Sequence, residues 1–476
     1  MFSKKFYMEG KWHSCSEFRT TKSPYSGKDL YTIANCTVDD INKAIAFAKH
    51  EQSNLQQLKG VDILSGLEEL FSLFEKHSDN IISVIMEESA KPIQFSRGEF
   101  SRALATIKEG IVFASTLSGD MVPMEHVQKG QHKFAFQQRF PMGIVAAITP
   151  FNFPLNLLLH KLIPCIISKN AMVLKPAPQT SYTALYVADL FDQTSFPSSL
   201  FQVCPTADNA VAEHLVTHPD VQIVSFTGSS EVGKRIQKKA YDKKVLLECG
   251  GMASVIVHED AHMDRSVDAI VSGAFAYAGQ TCISVQHVYG HDSCYEALKS
   301  ACLSSVESLL YGDPMHSDCV MSSLISKEAT DRVREWVDEA CKQGADCLVG
   351  NRVDEGVFVP TILENCNSTM KVSSSEVFGP VFVLHRYKDI SEVIETLNSS
   401  SFGLQHSLFT KDMNVIFDVY QRLETGALLI NESPTWRVDH MPYGGVKDSG
   451  NTKEGICYTY KELTTEKLCV IDFSHG

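Results

Sequence analysis

Residues 143–154 read GIVAAITPFNFP, and this stretch decides the fold. Its first half is a continuous apolar run, typical of a strand that is buried on both faces of a parallel sheet. The run ends at Thr149 and Pro150, where a chain leaves a strand for a loop. A helical pattern over 155–168 and a second apolar strand over 171–175 follow. The sequence therefore predicts a βαβ unit and an α/β protein.

The alternation of strands and helices continues beyond this unit. A third apolar strand, 221–226, runs into the turn 227–233 and a helix of lysines and alanines, and a second α/β stretch covers about 254–430. The polar segment 133–139 alternates as an antiparallel strand does. The strand-like end of the chain, 466–472, is the segment that we expect to pair with it.

Composition narrows the class of protein. The chain has 476 residues, enough for two or three domains, and its 44% apolar and 21% charged residues are ordinary for a globular protein. The formal charge of −14 argues against a general affinity for nucleic acid or anionic lipid. The N-terminus lacks the apolar region of a signal peptide, and no window has the length of a membrane helix. We expect a cytoplasmic protein without nucleic-acid or membrane partners.

Fourteen cysteines are the unusual part of the composition. They include no CxxC pair, so zinc and iron–sulfur sites lack their usual signature and we expect no metal. In a reducing compartment the thiols stay reduced, and most are expected to be small buried hydrophobes. Cys282, at a turn after a helix of small residues, is the best candidate for a nucleophile. Cys249 follows Glu248, whose charge would raise the pKa of a neighbouring thiol.

Other positions carry side chains suited to chemistry, and each also has an ordinary explanation. Glu248 ends a strand ahead of two glycines, where it could serve as a general base or cap a helix. Asn152 could donate a hydrogen bond to an oxyanion or only shape a turn. Lys175 could bind a nucleotide at a strand end or be a solvated lysine. The turn with Gly228 and Gly233 could present a helix N-terminus to a phosphate or be a common loop.

Seven motifs together resemble the aldehyde dehydrogenase family. The GKW near the N-terminus and the polar strand extend the likeness to nearly the whole chain. In chain order the motifs are PFNFP (150–154), LKPA (174–177), FTGS (226–229), LECGG (247–251), GQTC (279–282), EVFGP (376–380) and MPYGGVKDSG (441–450).

The resemblance implies an architecture of two doubly wound α/β domains and a small β element for oligomerisation. Pairing of the polar strand with another subunit would cover an exposed sheet edge, so a homodimer or homotetramer is expected. The implied boundaries are 1–118 and 140–248 for the cofactor-binding domain, 249–445 for the catalytic domain, and 119–139 with 456–476 for the oligomerisation element.

The resemblance also implies a reaction, the oxidation of an aldehyde to its acid with NAD(P)+. Cys282 would attack the aldehyde as a thiolate, and the Asn152 amide and the Cys282 backbone N–H would hold the oxyanion. Glu248 would activate the water that hydrolyses the thioester, and could help to deprotonate the thiol. The implied cofactor-binding residues are Phe151, Lys175, Thr227, Gly228, Ser229, Gly233, Glu376 and Phe378.

Three positions depart from the family pattern. Pro178 replaces an acidic residue that often selects NAD, so NADP is permitted and the choice between NAD and NADP stays open. Cys249 stands where leucine is usual beside the base. Thr452 stands where the segment SGxGxEG usually has glycine, and no catalytic group is lost there.

The substrate is expected to be a small polar or anionic aldehyde. Asn156 and His160 lie four and eight residues past Asn152 and share one helix face, and the family residue at His160 lines the substrate tunnel. Arg437 precedes PYGG in a loop expected near the tunnel, where it could bind an anion or be tied to Asp439 or the backbone. The sequence motifs are most similar to those of the dehydrogenases that act on lactaldehyde, glycolaldehyde, sulfolactaldehyde and phosphonoacetaldehyde.

Alternatives remain among substrates and among reactions. Thr281 stands where phosphate-handling members often carry arginine, which counts against glyceraldehyde-3-phosphate and phosphonoacetaldehyde. A CoA-acylating semialdehyde dehydrogenase would share Cys282, but such enzymes generally lack the base at Glu248. A Cys–Glu–Lys amide or nitrile hydrolase would need no nucleotide. A catalytically silent protein on this scaffold would have no chemical reason to keep Cys282, Glu248 and Asn152.

Overall fold

The computed structural model describes residues 2–15 and 17–474. Within these ranges the chain forms two seven-stranded sheets covered by helices, which we call the N-terminal sheet and the C-terminal sheet. A three-stranded sheet of polar strands, called the extension sheet below, stands beside them. The predicted α/β fold is confirmed.

The N-terminal sheet is built around the stretch that opens the βαβ pattern. Strand Ile144–Ile148 is an interior strand that pairs in parallel with a neighbour on each side. Its apolar side chains pack into the hydrophobic core on the faces of the sheet. In order across the sheet the strands are Lys244–Glu248, Ile223–Thr227, Ile144–Ile148, Ala171–Lys175, Phe201–Val203, Phe6–Met8 and Lys11–His13.

The register of this sheet brings three candidate residues to one edge. Ile148 pairs with Lys175, and Thr227 pairs with Glu248. Because parallel strands end at the same edge, these side chains emerge together where α/β sheets bind their ligands.

The C-terminal sheet is parallel except for one edge strand, Asp346–Val349, which is antiparallel to its neighbour. The nucleophile candidate Cys282 lies just ahead of strand Val285–His291. In order across the sheet the strands are Asp346–Val349, Thr361–Glu364, Val381–Tyr387, Val285–His291, Ala253–Val257, Gln405–Phe409 and Ala427–Ile430.

Helices cover the faces of both sheets, close to the predicted positions. The first helix is capped by Thr37, whose hydroxyl accepts from the Asp40 N–H in a capping box. In the described residues no helix is both long and apolar enough to cross a membrane. The α-helices are Val38–Gln56, Gly60–Lys76, Ser78–Ser89, Ile93–Ser115, Asn156–Ile167, Ser181–Phe191, Asn209–Thr217, Ser230–Lys239, Met263–Phe275, Tyr295–Glu307, Lys327–Lys342, Lys371–Ser374, Ile390–Ser399, Met413–Arg422 and Ile456–Glu462.

The extension sheet confirms the predicted pairing of the chain's last strand. Thr464–Asp472 runs antiparallel to Lys133–Pro141 over its full length, and Asp120–Val122 pairs on the other side. Thr464–Asp472 is an edge strand that exposes apolar side chains, with Leu468 59% and Val470 46% accessible. The remaining small sheets join Phe2–Lys4, Asp29–Ala34 and Phe18–Lys22; Val353–Asp354 and Val357–Phe358; and Phe402–Gly403 and Val446–Lys447.

Each large sheet has its own hydrophobic core. The core of the N-terminal sheet draws on residues 6–249 with Ile456 and Leu463, and the main core of the C-terminal sheet on residues 255–409. The predicted domain boundaries agree with this division and stay a prediction. The fourteen cysteines carry free thiols, but only six are buried, and Cys347 and Cys469 are exposed. Burial therefore explains fewer of them than predicted.

Candidate active site

Cys282 follows a turn with unusual backbone geometry. The helix ahead of it ends at Phe275, and Tyr277, Ala278 and Gly279 then have φ of 52°, 54° and 67°. A left-handed backbone costs a residue with a Cβ roughly 1–2 kcal/mol, so the surrounding structure must hold this turn in place. The turn predicted between the helix of small residues and Cys282 is therefore present, and it begins directly after Phe275.

The Cys282 thiol contacts a tyrosine hydroxyl. Its Sγ lies 2.7 Å from Tyr443 Oη, and the side chain is partly buried between the two large sheets. Burial raises the pKa of the Cys282 thiol to about 12, while the Tyr443 contact and the Arg437 charge act to lower it. Glu376 and Glu248 oppose thiolate formation by charge repulsion.

Asn152 lies beside the Cys282 turn. Its Nδ2 donates to the Gln280 carbonyl at 3.0 Å. The opposite orientation of the amide is excluded, because it would place the amide oxygen against the carbonyl oxygen. The amide has a second hydrogen, and its Oδ1 is buried without a partner in the described residues. The predicted pair of Asn152 and Cys282 is thus brought together.

A buried ion pair supports both loops. Lys91 pairs with Glu99, and its Nζ lies 4.1 Å from the ring centre of Phe153 and 4.7 Å from that of Tyr277. Glu99 also accepts from the N–H of Asn156 at the start of its helix. One cation therefore contacts the loop of Asn152 and the turn of Cys282.

Glu248 is buried next to a second carboxylate, Glu454. Neither Glu248 oxygen has a hydrogen-bond partner in the described residues. Burial and the charge of Glu454 raise the Glu248 pKa well above its usual range, against smaller opposing effects of Arg437 and Lys161. A cavity of about 10 Å³, close to the space of one water molecule, adjoins Glu248, Glu454 and Lys161. The arrangement suits a base that acts on a single water.

Arg437 neutralises Glu454. Its Nη2 lies 2.6 Å from Glu454 Oε1, with both side chains about 95% buried. The pKa of Glu454 falls to about 2 although burial alone would raise it, because His160, and after it Arg437 and Lys161, favour the ionised carboxylate. The Arg437 guanidinium stacks on the Tyr443 ring at 3.9 Å from its centre. Its Nε is buried without a partner in the described part of the chain. The pairing with Asp439 considered above is not the one formed.

Asp439 instead gathers three other side chains. Arg102 donates to both of its oxygens, at 2.7 and 3.2 Å, and Asn156 Nδ2 and His160 Nε2 lie 3.0 and 2.9 Å from Oδ1. Hydrogen bonds and these charges lower the Asp439 pKa, and burial lowers that of His160. Asn156 and His160 share one helix face as predicted, and their contact with substrate stays a prediction.

The N-terminus of helix Ser230–Lys239 fits a phosphate group. Thr227 Oγ1 and Ser230 Oγ are buried there without partners in the described residues, and Ser229 makes no side-chain cap. Free N–H groups and unpartnered hydroxyls at a helix start are the donors that a pyrophosphate takes up. The predicted Gly228 and Gly233 pack closely, since a Cβ at Gly233 would lie 2.9 Å from Cys249 Sγ.

An apolar slot of about 80 Å³ adjoins this helix and Lys175. Burial and the nearby Arg19 charge lower the Lys175 pKa to about 8. Arg19 donates to the carbonyl of Pro178, the position that lacks an acidic side chain. Arg235 also lines the slot. Among the cofactor candidates Lys175 lines this slot, together with the cations Arg235 and Lys239.

The remaining cofactor candidates come from the C-terminal half. Glu376 Oε1 accepts from the Gly251 N–H at 3.1 Å, and burial raises its pKa to about 7. Phe378, with φ of 47°, meets Phe151 edge to face at 5.8 Å between ring centres. A Cβ at Gly250 would collide with the Glu376 carboxylate, so a larger residue there would have to displace that carboxylate.

Several residues of this site were not singled out from the sequence. Tyr443 lies inside MPYGGVKDSG, a motif used only for its likeness to a family, and Glu454 lies four residues after it. Lys161 and Arg102 stand in helices with no local signal of function. Proximity in the fold, rather than spacing along the chain, identifies them.

Comparisons with known proteins agree with the geometry. A model of the aldehyde dehydrogenase family matches residues 12–469. The chain is 38% identical to 3-sulfolactaldehyde dehydrogenase of Priestia aryabhattai, covering 98% of this chain and 97% of that protein. It is 32% identical to sulfoacetaldehyde dehydrogenase of Neptuniibacter caesariensis, covering 90% and 94%.

Two solved structures are similar over the whole chain. Aldehyde dehydrogenase 21 of Physcomitrella patens, in complex with the reaction product succinate, superposes with a TM-score of 0.97 at 28% identity, covering 100% of this chain and 99% of that one. NADP-dependent glyceraldehyde-3-phosphate dehydrogenase of Bacillus halodurans, complexed with NADP, gives 0.96 at 32% identity, covering 100% of both.

Proposed function

The chain belongs to the aldehyde dehydrogenase family and is an NAD(P)-dependent oxidoreductase, and on that premise we propose that it oxidises a short anionic aldehyde of the sulfolactaldehyde type to its acid. One observation carries the choice of substrate. The buried guanidinium of Arg437 stacks on Tyr443, whose hydroxyl contacts the sulfur of Cys282. A fixed positive charge therefore lies one aromatic ring away from the nucleophile.

Cys282 is the nucleophile in this proposal. Its thiolate attacks the aldehyde carbon, and the free hydrogen of the Asn152 amide and the Cys282 N–H receive the charge that develops on oxygen. A bound NAD(P)+ would supply the acceptor for the hydride that the thiohemiacetal carbon loses. That carbon would then remain on Cys282 as a thioester.

Glu248 completes the reaction. It takes a proton from the water that attacks the thioester, and the small cavity beside it offers room for that water. Glu454 stays ionised through its pair with Arg437, so its charge keeps the pKa of Glu248 high. A base with a raised pKa accepts a proton more readily at neutral pH.

The cofactor is held by residues of both halves. Thr227, Gly228 and Ser229, with the helix that begins at Ser230 and packs through Gly233, would bind the pyrophosphate. Lys175 and Glu376 would bind the two riboses. Phe151 and Phe378 would pack beside the nicotinamide half.

NADP is accepted by the slot that adjoins Lys175. Pro178 presents no carboxylate to repel a 2′-phosphate, while Lys175 and Arg235 line the slot and the Arg19 charge acts on Lys175. Glu213 is the acidic side chain of the slot, and its carboxylate is 3.2 Å from Lys239. The NADP bound in the Bacillus halodurans relative is consistent with this choice.

The substrate's anion is matched by Arg437. Glu454 occupies Nη2 and leaves the Nε donor unpartnered, and a buried unpartnered donor of a charged group is costly unless a ligand uses it. Asp439 holds Arg102, Asn156 and His160 in place through hydrogen bonds. The relatives named for sulfolactaldehyde and sulfoacetaldehyde dehydrogenase, and the neighbour that binds succinate, support a short acidic chain.

A matched pair of substrates tests the proposal. 3-Sulfolactaldehyde and lactaldehyde share the aldehyde and the hydroxyl and differ in the sulfonate. We expect kcat/KM to favour the sulfonate at least about tenfold, the value of one charge-assisted hydrogen bond. Arg437→Lys should keep part of this preference and Arg437→Met should abolish it. Equal kcat/KM for both aldehydes in the unmodified enzyme would overturn the substrate assignment.

The chemistry is tested separately. Cys282→Ala should abolish turnover, and Glu248→Gln should leave one burst of reduced cofactor per site followed by slow turnover. Turnover that requires CoA would favour the acylating alternative instead.

The assembly is proposed to be a homodimer or homotetramer. The edge strand Thr464–Asp472 exposes Leu468, Val470 and Ile471, which a second copy would cover. The extension sheet and the two large sheets support the division into cofactor-binding, catalytic and oligomerisation parts given above.

A further inference from the structure

The hydroxyl of Tyr443 is placed to act on the nucleophile. Tyr443 is buried, and its main chain pairs with that of Glu454 through an N–H to carbonyl bond of 3.0 Å. Stacking of Arg437 on the ring fixes the ring plane. The 2.7 Å contact between Tyr443 Oη and Cys282 Sγ is therefore held from two sides.

When Cys282 and Tyr443 together lose one proton, the proton that remains is on the tyrosine oxygen. A phenol is a weaker acid than a thiol, so the first proton lost is that of Cys282. Burial and the neighbouring thiolate charge raise the Tyr443 pKa further, while the Arg437 cation opposes this. The ionised pair is then O–H···S⁻, a charge-assisted bond that is stronger than its neutral counterpart.

Few other groups can stabilise the Cys282 thiolate. Glu248 and Glu376 repel it, and Arg437 acts on it across the Tyr443 ring. In the part of the chain that the structure describes, Tyr443 is thus the side chain whose donor hydrogen reaches the sulfur.

We propose that Tyr443 is a catalytic residue whose hydroxyl donates a hydrogen bond to the Cys282 thiolate and so stabilises the reactive form of the nucleophile. The thiol proton leaves to water or Glu248, and Tyr443 keeps its own. The sulfur lone pair then forms the S–C bond as the carbonyl π pair moves to oxygen. This inference rests on the proposed role of Cys282.

Tyr443→Phe tests it, because this change keeps the ring and its stacking and removes only the hydroxyl. The readout is alkylation of Cys282 by iodoacetamide, followed by mass spectrometry without aldehyde or cofactor. Loss of one charge-assisted bond should raise the thiol pKa by about one unit, which leaves about tenfold less thiolate. Each thiolate becomes roughly threefold more nucleophilic as its pKa rises, so alkylation should slow about threefold from about pH 6 to about pH 9.

Turnover gives a second readout. The burst of reduced cofactor should slow in Tyr443→Phe, while the later hydrolysis of the thioester, which depends on Glu248, should keep its rate. Tyr295→Phe is the matched control, since it removes a hydroxyl that donates from the start of helix Tyr295–Glu307 to Glu364 at the end of strand Thr361–Glu364, and it should change neither rate.

The outcomes separate this inference from the proposed function. Unchanged alkylation of Cys282 in Tyr443→Phe would overturn the role of Tyr443 even if the enzyme oxidises aldehydes as proposed. Full turnover in Cys282→Ala would overturn the proposed function without any reference to Tyr443. Slowing of the burst and of hydrolysis by the same factor would indicate a general distortion of the site and contradict a specific role.

Discussion

Glu248 and Glu454 face one small cavity, and their pKa values are displaced in opposite directions. Both carboxylates are buried, but only Glu454 has a guanidinium at 2.6 Å. The ionised neighbour then makes ionisation of Glu248 harder. Two carboxylates kept in different protonation states let one serve as a base while the other supplies fixed charge.

Turnover limited by thioester hydrolysis should rise with pH above neutrality. Because the Glu248 pKa is raised, much of this residue is protonated near neutral pH and its basic form grows as pH increases. The measurement is kcat over a series of buffers, with Glu248→Gln as the control that should lose the rise. A kcat that does not change with pH in the unmodified enzyme contradicts this role.

The same carboxylate should cost stability at alkaline pH. The folded-state pKa of Glu248 is above its unfolded value, so the folded protein loses stability as pH rises through the window between the two values. Glu248→Gln removes this loss and should raise the melting temperature at about pH 8 but hardly at about pH 5. Thermal unfolding at both pH values tests the sign, and an equal change at both would refute the explanation.

Breaking the Arg437–Glu454 pair should destabilise the fold strongly. Glu454→Gln leaves a buried cation unpaired, with an expected loss of about 3–5 kcal/mol in the free energy of unfolding. The double variant Arg437→Met with Glu454→Gln should lose less than the sum of the single losses. Lys327→Met, which breaks an exposed pair with Asp331, is the control and should cost less than about 1 kcal/mol. Additive losses at the buried pair would mean that the two charges are not coupled.

A carboxylate at position 178 should shift the cofactor preference of the enzyme from NADP toward NAD. Pro178→Glu places a negative charge where the 2′-phosphate is expected, so the ratio of kcat/KM for NADP to that for NAD should fall at least about tenfold. Gln179→Glu adds the same charge at the next, exposed residue and should change the ratio little. If both variants shift the ratio alike, position 178 does not select the cofactor.

A charge on the outer edge strand should weaken the assembly. Val470→Lys puts a cation among the exposed apolar side chains of Thr464–Asp472. Contact of this strand with another subunit would then bury the cation, at a high cost in free energy. Light scattering should show a smaller species for this variant. Tyr241→Lys, at an apolar side chain that is 86% exposed elsewhere, is the control and should leave the mass unchanged. Retention of the full mass by Val470→Lys would exclude this strand from the interface.

Much of the fold could be predicted because its signals are local. The run at 144–148 is apolar throughout since both faces of its strand are buried, and the strand over 171–175 follows for the same reason. The alternation at 133–139 marks a strand with one face toward solvent. These patterns depend on neighbours in sequence, so they can be read without the structure.

The backbone geometry of the turn before Cys282 could not be predicted in this way. Tyr277 and Ala278 are ordinary helix-compatible residues, and their left-handed backbone is imposed by contacts with distant parts of the chain, such as the bond from the Tyr277 N–H to the Val320 carbonyl. The partner of Arg437 was missed for a similar reason. Asp439 is two residues away in sequence, but the loop turns the guanidinium toward Glu454.

Lys91 links the two halves of the chain beside the reacting groups. Its ammonium rests against Phe153, which belongs to the first half of the chain, and Tyr277, which belongs to the second, and it has no access to solvent. Moving the Tyr277 turn away would remove one of the two rings from the ammonium, while Glu99 and Phe153 would stay with it. The loop of Asn152 and the turn of Cys282 are therefore coupled through a single buried ammonium group.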